Sequence, residues 1–143
     1  MGVQLAEVTS DPIDDARLVD LVRRPTAGAI SLFLGVVRDN DPQASGQVVS
    51  LSYTCHPSAP DRMSQIVADV VTALDPEGEC EVAASHRIGE LVVGDSAFVV
   101  AVSSRHRRLA MSVCDQVVET VKAELPIWKQ QYEADGSYRW SGL

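Results

Sequence analysis

Residues 107–129 read RRLAMSVCDQVVETVKAELPIWK and predict a long helix, a break and an extended segment. Apolar side chains recur at helical spacing on one face, which indicates that this face is buried. They are Ala110, Val113, Cys114, Val117, Val118 and Val121. Proline lacks the backbone N–H that a helix needs, so the helix is expected to end at Pro126. Lys122 then lies in its last turn, and Lys129 lies in the extended segment.

Lys122 and Lys129 are the only lysines of the chain, and the ten other basic residues are arginines. Arginine stays protonated at any working pH, whereas a lysine that is desolvated or close to other cations can lose its proton. A lysine can therefore serve as an acid, a base or a nucleophile. Two lysines this close together are either a chance placement or a catalytic pair, and they are the first candidates for chemistry.

The run SSRHRR at residues 103–108 opens the same helix with a basic cluster. A helix N-terminus carries a partial positive charge, so basic residues at this position oppose the helix dipole. Two interpretations are open. The free amides, guanidinium groups and imidazole bind one anion, such as a phosphate, or the run is a solvated turn that pairs with the surplus of acids. Arg38, which follows an apolar strand, is the candidate to complete an anion site from the sheet.

The rest of the chain alternates between strand and helix patterns. We expect an α+β fold in which two long helices pack on one face of an antiparallel sheet. The strand at 28–37 is expected to be central and to pair with the strand at 48–54. The predicted elements are a short helix at 11–22 with Pro12 at its first position, strands at 28–37 and 48–54, a helix at 58–74, strands at 80–88 and 97–103, the helix ending at Pro126, an extended segment at 127–133, and a closing turn or edge strand at 136–140.

Length and composition exclude several classes of protein. The 143 residues are 45% hydrophobic and 22% charged, which predicts a single domain spanning residues 1–143. A net charge of −8 argues against nonspecific nucleic-acid binding. Three scattered cysteines without a C-x-x-C motif argue against a disulfide framework and a zinc site. The chain shows no secretory signal pattern and no apolar run of membrane length, so a cytoplasmic location is expected.

Two histidine pairs are weaker candidates. Cys55 and His56 pair a potential nucleophile with a potential base, but adjacent residues in a strand point to opposite faces of the sheet. His86 and Arg87 precede Gly89 at a strand end. We interpret this second pair as an anchor for the turn, with a ligand-binding role as the alternative.

Four motifs occur in the same order and at the same spacing as in a known family. They are Gly28-Ala29 with Phe33-x-Gly35-x-Val37-Arg38, His86-Arg87-Ile88-Gly89 with Gly94, His106-Arg107 followed by Ala110, and Lys122-x-x-x-Pro126-Ile127-Trp128-Lys129. Through them, residues 27–140 closely resemble the large, catalytic subunit of molybdopterin synthase. Each motif alone is loose, but the four together are specific.

The resemblance implies an α/β hammerhead fold and a sulfurtransferase of molybdenum cofactor biosynthesis. Its partner is a small ubiquitin-like subunit ending in Gly-Gly, whose C-terminal thiocarboxylate supplies the sulfur. Its substrate is cyclic pyranopterin monophosphate, which becomes the dithiolene of molybdopterin. Family members form a homodimer of large subunits within a heterotetramer, and the step needs no metal or other cofactor.

The resemblance also implies roles for individual residues. Lys122 is expected at the C-terminus of the carrier and Lys129 at the pterin carbons, although the two lysines can exchange these roles. Arg38, His106 and Arg107 are expected to bind the cyclic phosphate. A groove bordered by residues 126–128 is expected to receive the tail of the carrier.

The chain departs from the common family pattern in two places, at residues 54–57 and at Gln130-Gln131. At the positions of Gln130-Gln131, relatives often have a basic residue followed by a glutamate. Two alternatives to the enzyme remain open. One is a noncatalytic module that binds a phosphometabolite at Arg38, His106 and Arg107, and the other is a scaffold that docks a ubiquitin-like carrier without chemistry.

Overall fold

The structure, a computed structural model, describes residues 2–39, 48–134 and 136–143. It contains strands and helices in an α+β arrangement, which confirms the predicted fold class. In chain order they are β1 (Gly2–Thr9), α1 (Asp15–Val22), β2 (Ala29–Val36), β3 (Val48–Cys55), α2 (Ala59–Leu74), β4 (Glu81–Arg87), β5 (Gly89–Val92), β6 (Ser96–Ser104), α3 (Arg107–Glu124), β7 (Ile127–Glu133) and β8 (Tyr138–Gly142).

The strands of the described residues form two four-stranded sheets rather than the single sheet that was expected. The first sheet has the order β1-β4-β6-β2, and the second has the order β5-β3-β7-β8. Strands β1 and β4 run parallel, and all the other pairs are antiparallel. The strand β1 was not predicted from the sequence.

The prediction that residues 28–37 form a central strand paired with residues 48–54 was wrong. Strand β2 lies at an edge of the first sheet and pairs with β6, while β3 belongs to the second sheet. The apolar residues on both faces of β2 suggested a strand that is buried on both sides. In the structure, four of these side chains lie on an exposed face instead. They are Ile30, Leu32, Leu34 and Val36.

The two long helices α2 and α3 pack against each other and against the first sheet, as predicted. Their apolar faces and the facing side chains of β4 and β6 make the main core. The short helix α1 covers the opposite face of the sheet, where Leu18 and Val22 pack on Ala83, Val99 and Ala101. This helix begins after Asp14, whose side chain accepts a hydrogen bond from the N–H of Arg17. Pro12 therefore precedes the helix and is not its first residue.

The break at Pro126 converts α3 into β7, as the sequence predicts. Leu125 donates the last helical hydrogen bond to the carbonyl of Val121, and the carbonyl of Pro126 accepts one from the N–H of His56. From Ile127 onward the chain pairs with β3 on one side and β8 on the other. Among the described residues, no helix is long and apolar enough to cross a membrane.

Candidate functional site

A cavity of about 390 Å³ opens beside the last turn of α3. Both sheets and α3 contribute side chains to its wall. The lining residues are Gly35, Val36, Val37, Arg38, Leu51, Tyr53, His86, Ala97, Phe98, Lys122, Lys129, Gln131 and Leu143. A cleft of this size fits a small-molecule ligand.

Three of the five predicted site residues meet in this cavity. Lys122 comes from α3, Lys129 from β7 and Arg38 from the segment that follows β2. None of the described side chains that line the cavity is an aspartate or a glutamate. Three cationic side chains that line one cleft favour a positive potential, which attracts an anionic ligand.

His106 and Arg107 lie elsewhere, at the N-terminus of α3. With Arg108, Met111 and Ser112 they line a second cavity of about 490 Å³. The first turn of α3 holds no acidic residue, and the side chain of His106, the N-cap, makes no capping hydrogen bond. The backbone N–H groups at this helix end therefore face solvent or a ligand, as an anion site requires.

The structure does not bring Arg38 and His106 together within one chain. In the antiparallel β2–β6 pair, Ala29 lies opposite Ser104 and Val36 lies opposite Ser96. His106 thus follows the end of β6 at which β2 begins, and Arg38 lies beyond the other end of β2. At about 3.3 Å per residue, the strand between them spans roughly 23 Å. One small phosphate cannot contact both residues of the same chain.

His86 belongs to the lysine cavity, a placement that our interpretation as a turn anchor missed. It is 2% exposed, and its ring stacks on Phe98 at 5.3 Å and meets the edge of Tyr53 at 5.2 Å. Its Nδ1 lies 2.8 Å from the carbonyl oxygen of Arg87. Burial, opposed by this hydrogen bond and reinforced by Lys122, lowers the pKa of His86 to about 4.

Arg87 is the residue of that pair that anchors the turn. One of its terminal nitrogens lies 3.4 Å from the carboxylate of Asp95, which also accepts a hydrogen bond from the N–H of Val92. These contacts hold the β5–β6 turn. Successive side chains of a strand point to opposite faces of the sheet. His86 accordingly lines the cavity, whereas Arg87 holds the turn.

Gln131 is a second lining residue that sequence reasoning did not select. It is 1% exposed, and its Nε2 lies 3.4 Å from Oγ of Ser141 on β8. It projects to the same face of β7 as Lys129, two residues away. An amide at this position adds hydrogen-bonding capacity to the cavity without adding charge.

The groove expected at residues 126–128 is not part of the cavity wall. Ile127 is buried in the core, and Trp128 is 46% exposed on the other face of β7. The weaker pair at Cys55 is not assembled either, because Nδ1 of His56 contacts Oγ of Ser58 at 2.8 Å. Within the part of the chain that the structure describes, no group of three or more His, Cys, Asp or Glu residues is arranged to hold a metal ion.

The fold and the cavity define a class of protein. This is an α+β protein with a cationic cleft large enough for a small ligand, and two amines from different elements lie in its wall. Amines in such a position can transfer protons or stabilise an oxyanion.

The comparisons with known proteins narrow this class to a family. A family model described as MoaE protein matches residues 8–124. The chain belongs to the MoaE family.

Relatives and a solved structure agree with this assignment. The molybdopterin synthase catalytic subunit of Aspergillus clavatus is 37% identical over 136 residues, which cover 94% of this chain and 66% of that protein. The subunit of the same name from Bacillus subtilis is 36% identical over 138 residues, covering 95% and 83%. Molybdopterin synthase from Staphylococcus aureus superposes with a TM-score of 0.84 at 28% identity, covering 96% of this chain and 97% of that one.

Proposed function

We propose that this chain is the catalytic subunit of a molybdopterin synthase. It transfers sulfur from the C-terminal thiocarboxylate of a small ubiquitin-like subunit to cyclic pyranopterin monophosphate and thereby forms the dithiolene of molybdopterin. The observation that carries the proposal is that Lys122, Lys129 and Arg38 line one cavity in a chain of the MoaE family. The proposal includes the cytoplasmic location and the single domain that the sequence predicts.

The two lysines suit the chemistry of this transfer. In each transfer the sulfur of the thiocarboxylate bonds to a side-chain carbon of the pterin while a carbon–oxygen bond of that carbon breaks and its oxygen leaves. The product is a thioester that links carrier and pterin, and water then cleaves its acyl–sulfur bond, which releases the carrier as a carboxylate and leaves the sulfur on the pterin. Each stage develops negative charge on oxygen and moves a proton. Lys122 stabilises the oxyanion at the carrier's C-terminus, and Lys129 acts as an acid, a base or a stabilising charge at the pterin.

The phosphate of the substrate requires the second basic cluster. His106, Arg107 and the amides that begin α3 make an anion site, but they lie at the end of β2 remote from Arg38. A complete site therefore needs parts of two chains. The proposal assigns Arg38 and the lysines of one copy, together with His106 and Arg107 of a second copy, to each substrate.

Strand β2 has the features of the surface that joins the two copies. In the described part of the chain, β6 is the one strand that pairs with it. Its apolar stripe, defined as Ile30, Leu32, Leu34 and Val36, is 37–48% exposed. An edge strand with an uncovered apolar stripe is unstable in water as a free surface and favours pairing with another chain.

Two-fold symmetry converts this pairing into a composite site. In an antiparallel pair of β2 strands, the end of one strand lies beside the start of the other. Gly28, at the start, packs so closely on Arg105 that an added Cβ would lie 2.8 Å from the Arg105 carbonyl oxygen. Arg38 of one copy thus approaches the segment that leads to His106 of the second copy.

The test is a single-turnover assay with cyclic pyranopterin monophosphate and the thiocarboxylated small subunit. We expect the parent chain to form the dithiolene pterin and the variants Lys122→Ala and Lys129→Ala to lose most of this product. A folded parent chain that binds the carrier but forms no product would identify a docking scaffold. Unchanged phosphate-ligand binding by both variants, with no product from any chain, would identify the noncatalytic module.

A further inference from the structure

His86 is fixed in one tautomer by its contact with Arg87. A carbonyl oxygen only accepts hydrogen bonds, so Nδ1 at 2.8 Å from the Arg87 carbonyl must carry the proton. In a neutral imidazole the other nitrogen, Nε2, is then an acceptor. The rings of Phe98 and Tyr53 hold the imidazole plane from two sides. The orientation of Nε2 is therefore set by the Arg87 carbonyl and by these two rings.

The surroundings of His86 oppose its protonation. The titratable or charged side chains that line the cavity with it are Tyr53 from β3, Lys122 from α3, Lys129 from β7 and Arg38. Burial disfavours an imidazolium and the charge of Lys122 disfavours it further, so the pKa of His86 falls to about 4 although the Arg87 carbonyl opposes this shift. At neutral pH His86 is thus a neutral acceptor in the cavity that Lys122 also lines.

We propose that His86 is a positioning residue, whose Nε2 accepts a hydrogen bond from the ammonium group of Lys122 and holds that amine in the cavity. Lys122 extends from an exposed helical turn on a flexible four-carbon stem, so it needs an orienting contact. A carboxylate in the same place would orient the amine but cancel its charge. A neutral imidazole orients it and leaves its charge available to an anionic ligand.

The contact itself is tested without any assay of activity. Two-bond ¹H–¹⁵N spectra of the histidine-labelled chain report the tautomer of His86 and the hydrogen bonding of Nε2. We expect the Nδ1-protonated pattern at neutral pH and a shift of the Nε2 signal in Lys122→Met. The matched control Lys129→Met removes the other amine of the cavity and leaves that signal in place. An Nε2 signal that does not shift in Lys122→Met would overturn the proposal, and so would a ring that is protonated at neutral pH.

The kinetic consequence of the contact rests on the proposed function. We expect His86→Leu to lower the single-turnover rate at saturating carrier by about 10- to 100-fold, the usual cost of one hydrogen bond to a charged group. Carrier affinity is unchanged, and His86→Gln recovers part of the rate because its amide oxygen accepts a hydrogen bond. Rates are normalised to the folded fraction of each variant.

The spectra and the single-turnover rates distinguish a failure of the positioning role from a failure of the proposed function. A folded His86→Leu chain as fast as the parent would overturn the positioning role. A parent chain that forms no product would instead contradict the proposed function, while the spectra would still decide whether Lys122 and His86 are in contact.

Discussion

Lys122 and Lys129 line the same cavity although one belongs to α3 and the other to β7. Pro126 lies between them and ends the helix, and the carbonyl of this proline accepts a hydrogen bond from the N–H of His56. The chain therefore changes from helix to strand between Glu124 and Ile127. This break lets two amines, close together in sequence, face one cavity from a helix and from a strand.

Replacing either lysine by alanine should lower the single-turnover rate by about 100-fold or more, the usual contribution of a positioned proton-transfer group. Arg23→Ala is the matched control. It removes an exposed cation whose surface pair with Asp20 contributes little stability, and Arg23 lies outside the lysine cavity. Rates are measured by quenched-flow detection of the dithiolene product. If a lysine variant is as fast as Arg23→Ala, that lysine has no role in catalysis.

The sequence predicts the elements of this fold better than their arrangement. Helical periodicity and Pro126 are local signals, so both long helices and the placement of Lys122 in a last turn were correct. Whether β2 is central or at an edge is not a local property. An apolar strand has the same pattern whether a neighbouring layer of its own chain or another molecule covers it.

The candidate site shows the same limit. Arg38, Lys122 and Lys129 were predicted as site residues, and they do line one cavity. His86 was missed because its place in the wall depends on Tyr53 and Phe98, which belong to other strands. The separation of Arg38 from His106 follows from the register of β2 on β6, which no motif encodes.

The apolar stripe on β2 should hold two copies of the chain together. We expect the parent chain to be a dimer and Leu34→Glu to be a monomer, because the substitution puts a charge into an apolar interface. Val92→Glu is the matched control, since Val92 is 58% exposed on the second sheet. Analytical ultracentrifugation measures the mass of each. A parent monomer, or a dimer that survives Leu34→Glu, would rule out this interface.

A composite site can be recognised by mixing two inactive variants. If each site takes Lys122 from one copy and His106 from the other, a mixed dimer of Lys122→Ala and His106→Ala chains has one intact site. Unfolding and refolding the two chains together in equal amounts should restore about a quarter of the parent activity, because half of the dimers are mixed. Each variant refolded alone is the control. If mixing restores no activity, the site lies within a single chain.

Gly28 should be required for the position of the segment before His106. A Cβ at residue 28 would lie 2.8 Å from the carbonyl oxygen of Arg105, and neither backbone can yield easily because β2 and β6 are paired here. We expect Gly28→Ala to cost about 1–3 kcal/mol of unfolding free energy in urea. Gly142→Ala is the control, because its Cβ would meet open space. Equal stability of the two variants would show that the segment shifts freely.

His86 should make the protein less stable in mild acid. The pKa of His86 is about 4 in the folded chain and 6.5 in the unfolded one. Between these two pH values the unfolded state therefore binds a proton at His86 that the folded state does not bind. The stability present above pH 6.5 therefore falls as the pH drops towards 4, by about 3 kcal/mol in all.

The pH dependence of the unfolding free energy distinguishes the titration of His86 from the contribution of its ring to packing. His86→Phe keeps an aromatic ring between Tyr53 and Phe98 but cannot titrate, so its unfolding free energy should fall less steeply between pH 6.5 and 4 than that of the parent. Ser85→Ala is the matched control, because it alters a neighbouring buried residue of β4 that has no titrating group. Its stability should differ from the parent's by the same amount at every pH. Urea titrations at several pH values give the three curves. Parallel curves for the parent and His86→Phe would mean that His86 binds its proton equally well in the folded and the unfolded chain, so that burial does not lower its pKa.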